Sequence, residues 1–144
     1  MTAGVDFKVL TKWLELDEGC KLKPYYCTSG KLTIGVCRNL EDTGITKAEA
    51  QFMLEGDIVR LMRELDELFP EWRDLSETRQ MVVLNMAFNL GTFGFLNFKR
   101  TIGYMRDERF AEAADEMLRS EWAEQVGARA KRLSDAMRED KPPV

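Results

Sequence analysis

The sequence lacks histidine altogether and has only three cysteines, and these absences exclude several classes of enzyme. Without an imidazole, the chain cannot hold a Ser-His-Asp or Cys-His site, and most zinc enzymes are excluded as well. Cys20, Cys27 and Cys37 are separated by seven and ten residues, which matches no Cys-x-x-Cys metal or redox pattern. An odd number of cysteines favours thiols over a disulfide framework. Carboxylates, thiols and hydroxyls remain as candidate catalytic groups.

Long apolar runs and blocks of like charge are also absent. No apolar segment is long enough to span a bilayer, and the N-terminus alternates apolar and charged residues, unlike a secretory signal. The net charge is −4, from 21 basic and 25 acidic residues spread along the chain. We therefore expect no nucleic acid partner and no stable membrane insertion. Taken alone, the sequence indicates a cytoplasmic product without an export signal.

The helical pattern extends over most of the 144 residues, which fit a single domain. Apolar spacing predicts an N-terminal helix over 5–16. A capping box, Thr46-Lys-Ala-Glu49, predicts a long connecting helix over about 46–69. Pro70 ends this helix. From about 70 to 140 the chain is predicted to form further helices around an apolar central one that Gly91 ends, with a turn over 92–95 and a single helix over 109–122. With the N-terminal helix these make a helical lobe. Together with a β-hairpin predicted over about 17–45, these helices indicate an α+β fold.

One short region, about 17–45, interrupts the helices and predicts a β-hairpin lobe. Thr28-Ser29-Gly30 is typical of a turn, and the alternating residues after it are typical of a returning strand. Gly35 within that strand indicates a bulge or a close approach of another backbone.

Three residues of this region can act together in catalysis. Glu18 ends the first helix, and Cys27 and Thr33 follow it at gaps of nine and six residues. A hairpin folded beside the helix end can bring them to one point. There Glu18, kept protonated by partial burial, can act as a general acid. Thr33 can hold a water molecule by its hydroxyl while Cys27 positions or polarises it.

The same residues resemble the phage-type lysozymes, the T-even phage lysozyme and endolysin family (glycoside hydrolase family 24). The resemblance begins with Asp-Glu-Gly at 17–19, Tyr26-Cys27-Thr28-x-Gly30 and Thr33-Ile34-Gly35. It continues through segments of the connecting, central and C-terminal helices: Ile45-Thr-Lys-Ala-Glu-Ala50, Leu84-Asn-Met-Ala-Phe-Asn-Leu-Gly91, Ser120-Glu-Trp122 and Arg129-Ala-Lys-Arg132. Cys27 stands where many members carry aspartate, so the chain resembles the branch that has cysteine there.

The resemblance implies a bilobal lysozyme-like fold and a muramidase activity. Such enzymes hydrolyse the β-1,4 bond between N-acetylmuramic acid and N-acetylglucosamine in bacterial peptidoglycan. Glu18 is then the general acid, and Thr33 helps to place the attacking water. Cys27 either positions that water or attacks the anomeric carbon itself, and both routes stay open. The resemblance also implies a monomer whose partner is peptidoglycan, with neither a metal nor an organic cofactor.

The resemblance also assigns roles outside the hairpin. Arg129 and Arg132 match basic residues that pair with the acids of the first helix, Arg129 with Glu18 and Arg132 with Asp17. Such pairing would offset the unfavourable position of two acids at a helix C-terminus.

Phe88 and Asn89 match positions of the central helix that line the substrate cleft. Two residues depart from the pattern: Arg38 replaces a histidine of the best-known member, and Cys37 stands where glycine is usual. Cys20 is expected to pack in the core.

Two other functions and one regulatory device remain alternatives. The chain can be a catalytically weak wall-binding or virion-associated structural protein with the same fold, or a helical interaction module that the hairpin decorates. A bond between Cys27 and Cys37 would gate the site by redox state. As an endolysin, the protein is expected in the host bacterial cytoplasm, and to reach the periplasm or cell wall with the help of a holin.

Overall fold

The computed structural model describes residues 4–144 and confirms the α+β prediction. Its helices are α1 (Phe7–Glu18), α2 (Lys47–Leu68), α3 (Glu77–Leu90), α4 (Thr92–Leu96), α5 (Lys99–Arg106), α6 (Phe110–Leu118), α7 (Glu121–Val126) and α8 (Ala128–Glu139). Its strands are β1 (Lys21–Tyr26), β2 (Leu32–Gly35) and β3 (Arg38–Asn39), and a 3-10 turn over Pro70–Asp74 connects α2 to α3.

The chain divides into two compact units, and the division falls between Phe52 and Met53, within α2. We call residues 4–52 the hairpin unit and Met53–Val144 the helical unit. The packing of the N-terminal helix with the helical lobe stays a prediction.

Local capping residues fix the bounds of α1. The Asp6 side chain accepts a hydrogen bond from the backbone N–H of Val9 at 3.1 Å, so the helix begins at Phe7, two residues after the predicted start. Gly19, with a φ of 75°, ends it and donates its backbone N–H to Glu15 O at 2.8 Å. Glu18 is therefore the last residue of the helix.

The hairpin unit contains a three-stranded antiparallel sheet with β2 in the middle. Tyr25 pairs with Thr33, and Lys21 pairs with Gly35. Between these two pairs β1 has three residues where β2 has one, so β1 bulges there. Pro24 lies in the bulge, where its missing N–H costs no ladder hydrogen bond. Gly35 of β2 indicated a bulge in its own strand, and the structure has the bulge in the partner strand β1.

The sheet is tied to the start of α2 by Glu49. Its carboxylate accepts from the backbone N–H of Thr46 at 2.8 Å, and its own N–H donates to the Thr46 hydroxyl at 3.1 Å, so the predicted capping box is present. Arg38 of β3 donates to both Glu49 oxygens, at 2.8 and 2.7 Å. These hydrogen bonds from Arg38, with those from Thr46, lower the pKa of Glu49 to about 2. Arg38, one of the two residues that depart from the resembled pattern, is therefore a structural partner of α2.

The helical unit is built around an apolar core to which α3 contributes Val82, Val83, Met86 and Ala87. Ser76 caps α3 by accepting the N–H of Arg79 at 3.3 Å, and Gly91, with a φ of 77°, ends it. The fully buried side chains of this core include Leu65, Phe69, Trp72, Val83, Met86, Phe95, Met105, Met117 and Met137. Their burial supplies the hydrophobic stabilisation of the unit.

Two details of the helical unit differ from the expectation. Residues 92–95 form the short helix α4 rather than a turn. The segment 109–122, predicted as one helix, is divided into α6 and α7, because Ser120 accepts the N–H of Ala123 at 3.1 Å and starts a new helix. Within residues 4–144, no helix has both the length and the apolar character needed to cross a membrane.

Candidate functional site

Cys27 lies directly after β1, where the hairpin begins to turn. Two backbone hydrogen bonds close this turn, from Cys27 N to Lys31 O at 3.0 Å and from Gly30 N to Cys27 O at 2.9 Å. Gly30 has a φ of 78°, which glycine adopts without a Cβ penalty. The turn brings Ser29 back onto Cys27, with 3.1 Å between Ser29 Oγ and Cys27 Sγ. The thiol therefore has a hydroxyl partner from its own turn.

Hydrogen bonds to the Cys27 sulfur lower the pKa of this thiol to about 7. The Ser29 hydroxyl is the largest cause, followed by the backbone of Lys31 and of Ser29; the Thr33 hydroxyl adds a smaller contribution, and partial burial acts in the opposite direction. Donated hydrogen bonds lower the pKa because they stabilise the anion more than the neutral thiol. Near neutral pH, a large fraction of Cys27 is the thiolate, which is the form that acts as base or nucleophile.

Thr33 lies in the middle strand and is almost completely buried, with 1% of its surface exposed. Its hydroxyl donates to the backbone carbonyl of Lys31 at 2.9 Å. Because a hydroxyl has one proton, the lone pairs of Thr33 Oγ1 remain as acceptors. This is the arrangement needed to accept a hydrogen bond from a water molecule.

Several ionisable groups of the hairpin unit act on the hydroxyl of Tyr25. Burial is the main reason that its pKa is raised, followed by the charge of Cys37, a hydrogen bond with Cys37, and the charges of Cys27 and Glu18. Because Coulomb interactions weaken with distance, Glu18 and Cys27 both lie near this one hydroxyl. Thr33 pairs with Tyr25 across the sheet. The hairpin thus brings the three predicted catalytic side chains to one neighbourhood, and their roles stay predictions.

Glu18 and Cys20 are more exposed than the sequence suggested. Glu18 is exposed rather than partly buried, as is every other residue of α1. Cys20 is exposed as well, so the expectation that it packs in the core is wrong. It precedes β1 in a hairpin unit whose residues 4–52 bury one side chain, that of Thr33, and have no apolar core to receive a thiol.

Cys37 adopts a backbone conformation that favours glycine. Its φ is 55°, in the left-handed region, which explains why glycine is usual at this position of the resembled pattern. The thiol is exposed and lies close enough to Tyr25 to contribute to the raised pKa of that side chain. All three cysteines are free thiols, as expected from their odd number.

The predicted substrate-binding residues Phe88 and Asn89 lie near the end of α3 in the helical unit. The Phe88 side chain is 47% exposed and lines an apolar groove of about 430 Å³. Asn89 Oδ1 accepts a hydrogen bond from the buried Trp122 Nε1 at 2.7 Å. The bond satisfies the indole N–H and fixes the amide, so that the Asn89 amide NH₂ is directed away from Trp122.

Arg129 and Arg132 lie on α8, also in the helical unit. The Arg129 guanidinium donates to Asn85 Oδ1, at 3.0 Å from Nε and 2.7 Å from Nη2. It lines the same groove as Phe88. Arg132 is exposed. The pairing of these arginines with Asp17 and Glu18 stays a prediction.

A metal site is not evident in the part of the chain that the structure describes. Within residues 4–144, no three Cys, Asp or Glu side chains are grouped closely enough to hold a metal ion.

Comparison with known proteins adds independent information to this geometry. The phage lysozyme family matches residues 15–139, which include the whole hairpin and most of the helical unit. The chain belongs to this family. As a member of the phage lysozyme family, it is assigned a glycoside hydrolase activity of the lysozyme type.

Individual relatives agree with the family assignment. Probable T4-type lysozyme 1 from Dictyostelium discoideum is 29% identical, over 83% of this chain and 88% of the relative. Probable T4-type lysozyme 2 from the same organism is 28% identical, over 86% of this chain and 90% of the relative. The pre-baseplate central spike protein Gp5 of Enterobacteria phage T4 is 28% identical over 87% of this chain, which spans 27% of that protein.

Two residues of the site were not predicted from the sequence. Ser29 follows Cys27 by two residues in a turn, a spacing at which side chains often hydrogen-bond to nearby groups, so this signal was available. Tyr25 carried no such signal, because its place depends on the bulge in β1 and on its cross-strand partner.

Proposed function

We propose that the protein is an endolysin-type muramidase that cleaves the β-1,4 bond between N-acetylmuramic acid and N-acetylglucosamine of bacterial peptidoglycan and so lyses the host cell. The observation that carries this proposal is the match of residues 15–139 to the phage lysozyme family. It is supported by the position of Glu18 at the end of α1, directly before the hairpin that holds Cys27 and Thr33. Phe88 and Asn89 are proposed to contact the saccharide.

In the proposed reaction, Glu18 gives its proton to the leaving glycosidic oxygen as the C–O bond breaks. Glu18 is exposed in the free protein, so the bound sugar has to cover it. Such burial favours the neutral acid, because desolvation disfavours the charged form. In the inverting route, a water molecule held by Thr33 Oγ1 attacks the anomeric carbon, and the Cys27 thiolate takes its proton.

A retaining route uses the same groups differently. The Cys27 thiolate attacks the anomeric carbon, and water then hydrolyses the glycosyl-thioether with Glu18 acting as base. The two routes give opposite anomers of the new reducing end. NMR of the product formed within the first minutes therefore distinguishes them: inversion supports Cys27 as a base, and retention supports it as a nucleophile.

A turbidity assay with purified peptidoglycan tests the enzymatic proposal. Glu18→Gln is expected to lower the rate of clearing by about 10²- to 10⁴-fold, since it removes the proton donor and preserves the shape of the side chain. Glu15→Gln is the matched control, because it removes the same charge one turn earlier in the same helix. If Glu18→Gln clears peptidoglycan as fast as the parent, the enzymatic proposal fails.

A second candidate function is that of a virion-associated or wall-binding structural protein with weak catalysis. The similarity to the phage central spike protein favours it, although that protein is much longer than this chain. This candidate predicts sedimentation of the parent and of Glu18→Gln with peptidoglycan to the same extent, without release of soluble fragments by either.

The proposal also includes the route by which the enzyme reaches the cell wall. The enzyme is proposed to act as a monomer, to accumulate in the host bacterial cytoplasm and to reach the wall after a holin opens the membrane. Expression with and without a holin in a host strain, followed by culture density, tests this route.

A further inference from the structure

The hydrogen bonds of the hairpin turn point to a residue that prepares Cys27 for its role. We propose that Ser29 is a positioning residue, whose hydroxyl donates to the Cys27 sulfur and holds this side chain as an oriented thiolate. The inference rests on the proposed function, in which Cys27 acts as a base or a nucleophile. The inference adds the Ser29 hydroxyl as the group that keeps the Cys27 sulfur ionised and oriented.

The direction of the bond between Ser29 and Cys27 follows from the charge state. The two side-chain atoms lie 3.1 Å apart, and either can donate when the thiol is neutral. An ionised sulfur has no proton, so in the thiolate the Ser29 hydroxyl must be the donor. The proton lost from sulfur goes to solvent, while Ser29 keeps its own proton throughout.

Thr33 supplies a second hydroxyl near the sulfur, and its hydrogen bond makes the smallest contribution to the lowered pKa of Cys27. In the free protein the Thr33 hydroxyl also lies 2.9 Å from the carbonyl oxygen of Lys31, to which it donates. Ser29, whose hydroxyl lies 3.1 Å from the sulfur, makes the largest contribution. Ser29 is therefore the main side-chain partner of the thiolate.

The turn itself holds Ser29 in place. Ser29 lies between Cys27 and Lys31, whose backbones are joined by the bond that closes the turn at 3.0 Å. Backbone groups of Lys31 and Ser29 add to the stabilisation of the anion, and together with the Thr33 hydroxyl these bonds lower the pKa of Cys27. The donors of this turn therefore stabilise an anion, and that anion is the thiolate of Cys27 in the same turn.

Alkylation of Cys27 tests the inference without reference to lysis. In a Cys20→Ser, Cys37→Ser background, the thiolate attacks iodoacetamide, a C–S bond forms and iodide leaves. The rate, followed by mass spectrometry against pH, is expected to rise around pH 7. Ser29→Ala should move this rise towards about 8.5, the value of an unperturbed thiol. The rate at pH 7 should fall about three- to tenfold, since higher intrinsic nucleophilicity offsets part of the lost thiolate.

Two variants separate positioning from a general effect on the turn. Thr28→Ala removes a neighbouring hydroxyl that makes no side-chain hydrogen bond within residues 4–144, and it should leave the alkylation profile unchanged. Ser29→Thr keeps a hydroxyl and should restore a rise near pH 7. Circular dichroism confirms that each variant is folded. The inference is overturned if the Ser29→Ala and Thr28→Ala profiles coincide.

Peptidoglycan clearing distinguishes failure of this inference from failure of the proposed function. If both hold, the acid limb of kcat/KM moves upward in Ser29→Ala by the same amount as the alkylation profile. If neither parent nor variant clears peptidoglycan, the proposed function fails, and the alkylation profiles still decide the role of Ser29. If clearing is normal but alkylation does not depend on Ser29, the positioning role fails alone.

Discussion

The hairpin unit and the helical unit are stabilised by different interactions. Every buried apolar side chain of residues 4–144 lies between Leu61 and Met137, in the helical unit. In the hairpin unit, residues 4–52 bury the side chain of Thr33, and the elements are connected by ladder hydrogen bonds and by the contacts of Glu49 with Arg38 and Thr46. One unit is held by an apolar core, the other by directional polar bonds.

This difference separates stability from chemistry. Apolar burial is strong but has no direction, whereas hydrogen bonds are weaker in net terms and fix the orientation of the groups that make them. A hydrated polar hairpin can present a carboxylic acid, a thiolate and hydroxyls in defined positions. A core that buried the same groups would have to satisfy each of them at high cost. We therefore expect substitutions in the two units to have different consequences.

The largest effect on stability is expected in the helical core. Phe95 is fully buried with its ring 6.2 Å from that of Phe69, so Phe95→Ala should lower the free energy of unfolding by about 3–5 kcal/mol. Leu22→Ala in β1 removes an apolar side chain that is 86% exposed and should change it by less than about 0.5 kcal/mol. Urea denaturation followed by circular dichroism measures both. Equal losses would contradict the distinction between the units.

The next effect concerns catalysis in the hairpin unit. Cys27→Ala should lower kcat/KM on peptidoglycan by roughly 10²-fold or more, since it removes the base or nucleophile. In the parent, activity should fall as the pH drops through about 7, because protonation consumes the thiolate. Cys27→Asp should keep activity and move this fall to about pH 4, where a carboxylate is protonated. Full activity of Cys27→Ala would contradict the assignment.

Smaller effects are expected where the sheet meets α2. Thr46→Ala removes the N-cap and should cost about 1 kcal/mol near pH 6, where Glu49 is charged. Glu49→Gln should destabilise only where Glu49 is charged in the parent. The pKa of Glu49 is depressed to about 2 in the folded state, so its contribution is complete above about 4.5 and disappears as the pH falls through 2. Urea midpoints between pH 2 and 6 test this, and a loss of stability in Glu49→Gln that is as large at pH 2 as at pH 6 would contradict it.

The smallest effect is expected at Cys37. Its φ of 55° disfavours any side chain, so Cys37→Gly should be more stable than Cys37→Ala by up to about 1 kcal/mol. Both variants remove the thiol, and their difference isolates the backbone. Thermal unfolding of the two variants measures it. A more stable alanine variant would exclude a backbone cost at this position.

Much of the fold was predictable because local signals mark the ends of its helices. Thr46 with Glu49 predicted the start of α2, Pro70 its end, and Gly91 the end of α3. The boundary between α6 and α7 was missed, since Ser120 was not recognised as a cap within an otherwise continuous helical pattern. Local sequence thus predicted where the long helices lie, but it did not predict that the segment 109–122 forms two helices.

The candidate site was predictable only in part. The spacing of Glu18, Cys27 and Thr33 indicated that they act together, and the hairpin brings them to one neighbourhood. The exposure of Glu18 and Cys20 and the place of Tyr25 depend on how strands pair and on the lack of an apolar core within the hairpin unit. These are tertiary properties, and a pattern along the chain does not contain them.

The central claim is that the hairpin unit carries out the chemistry of a muramidase, and the new reducing end formed on purified peptidoglycan tests it most directly. Borohydride reduction and hydrolysis of the products should give muramitol in amounts that grow with digestion by the parent protein and stay near background with Glu18→Gln. Glucosaminitol instead of muramitol, or equal yields from the parent and Glu18→Gln, would contradict the claim.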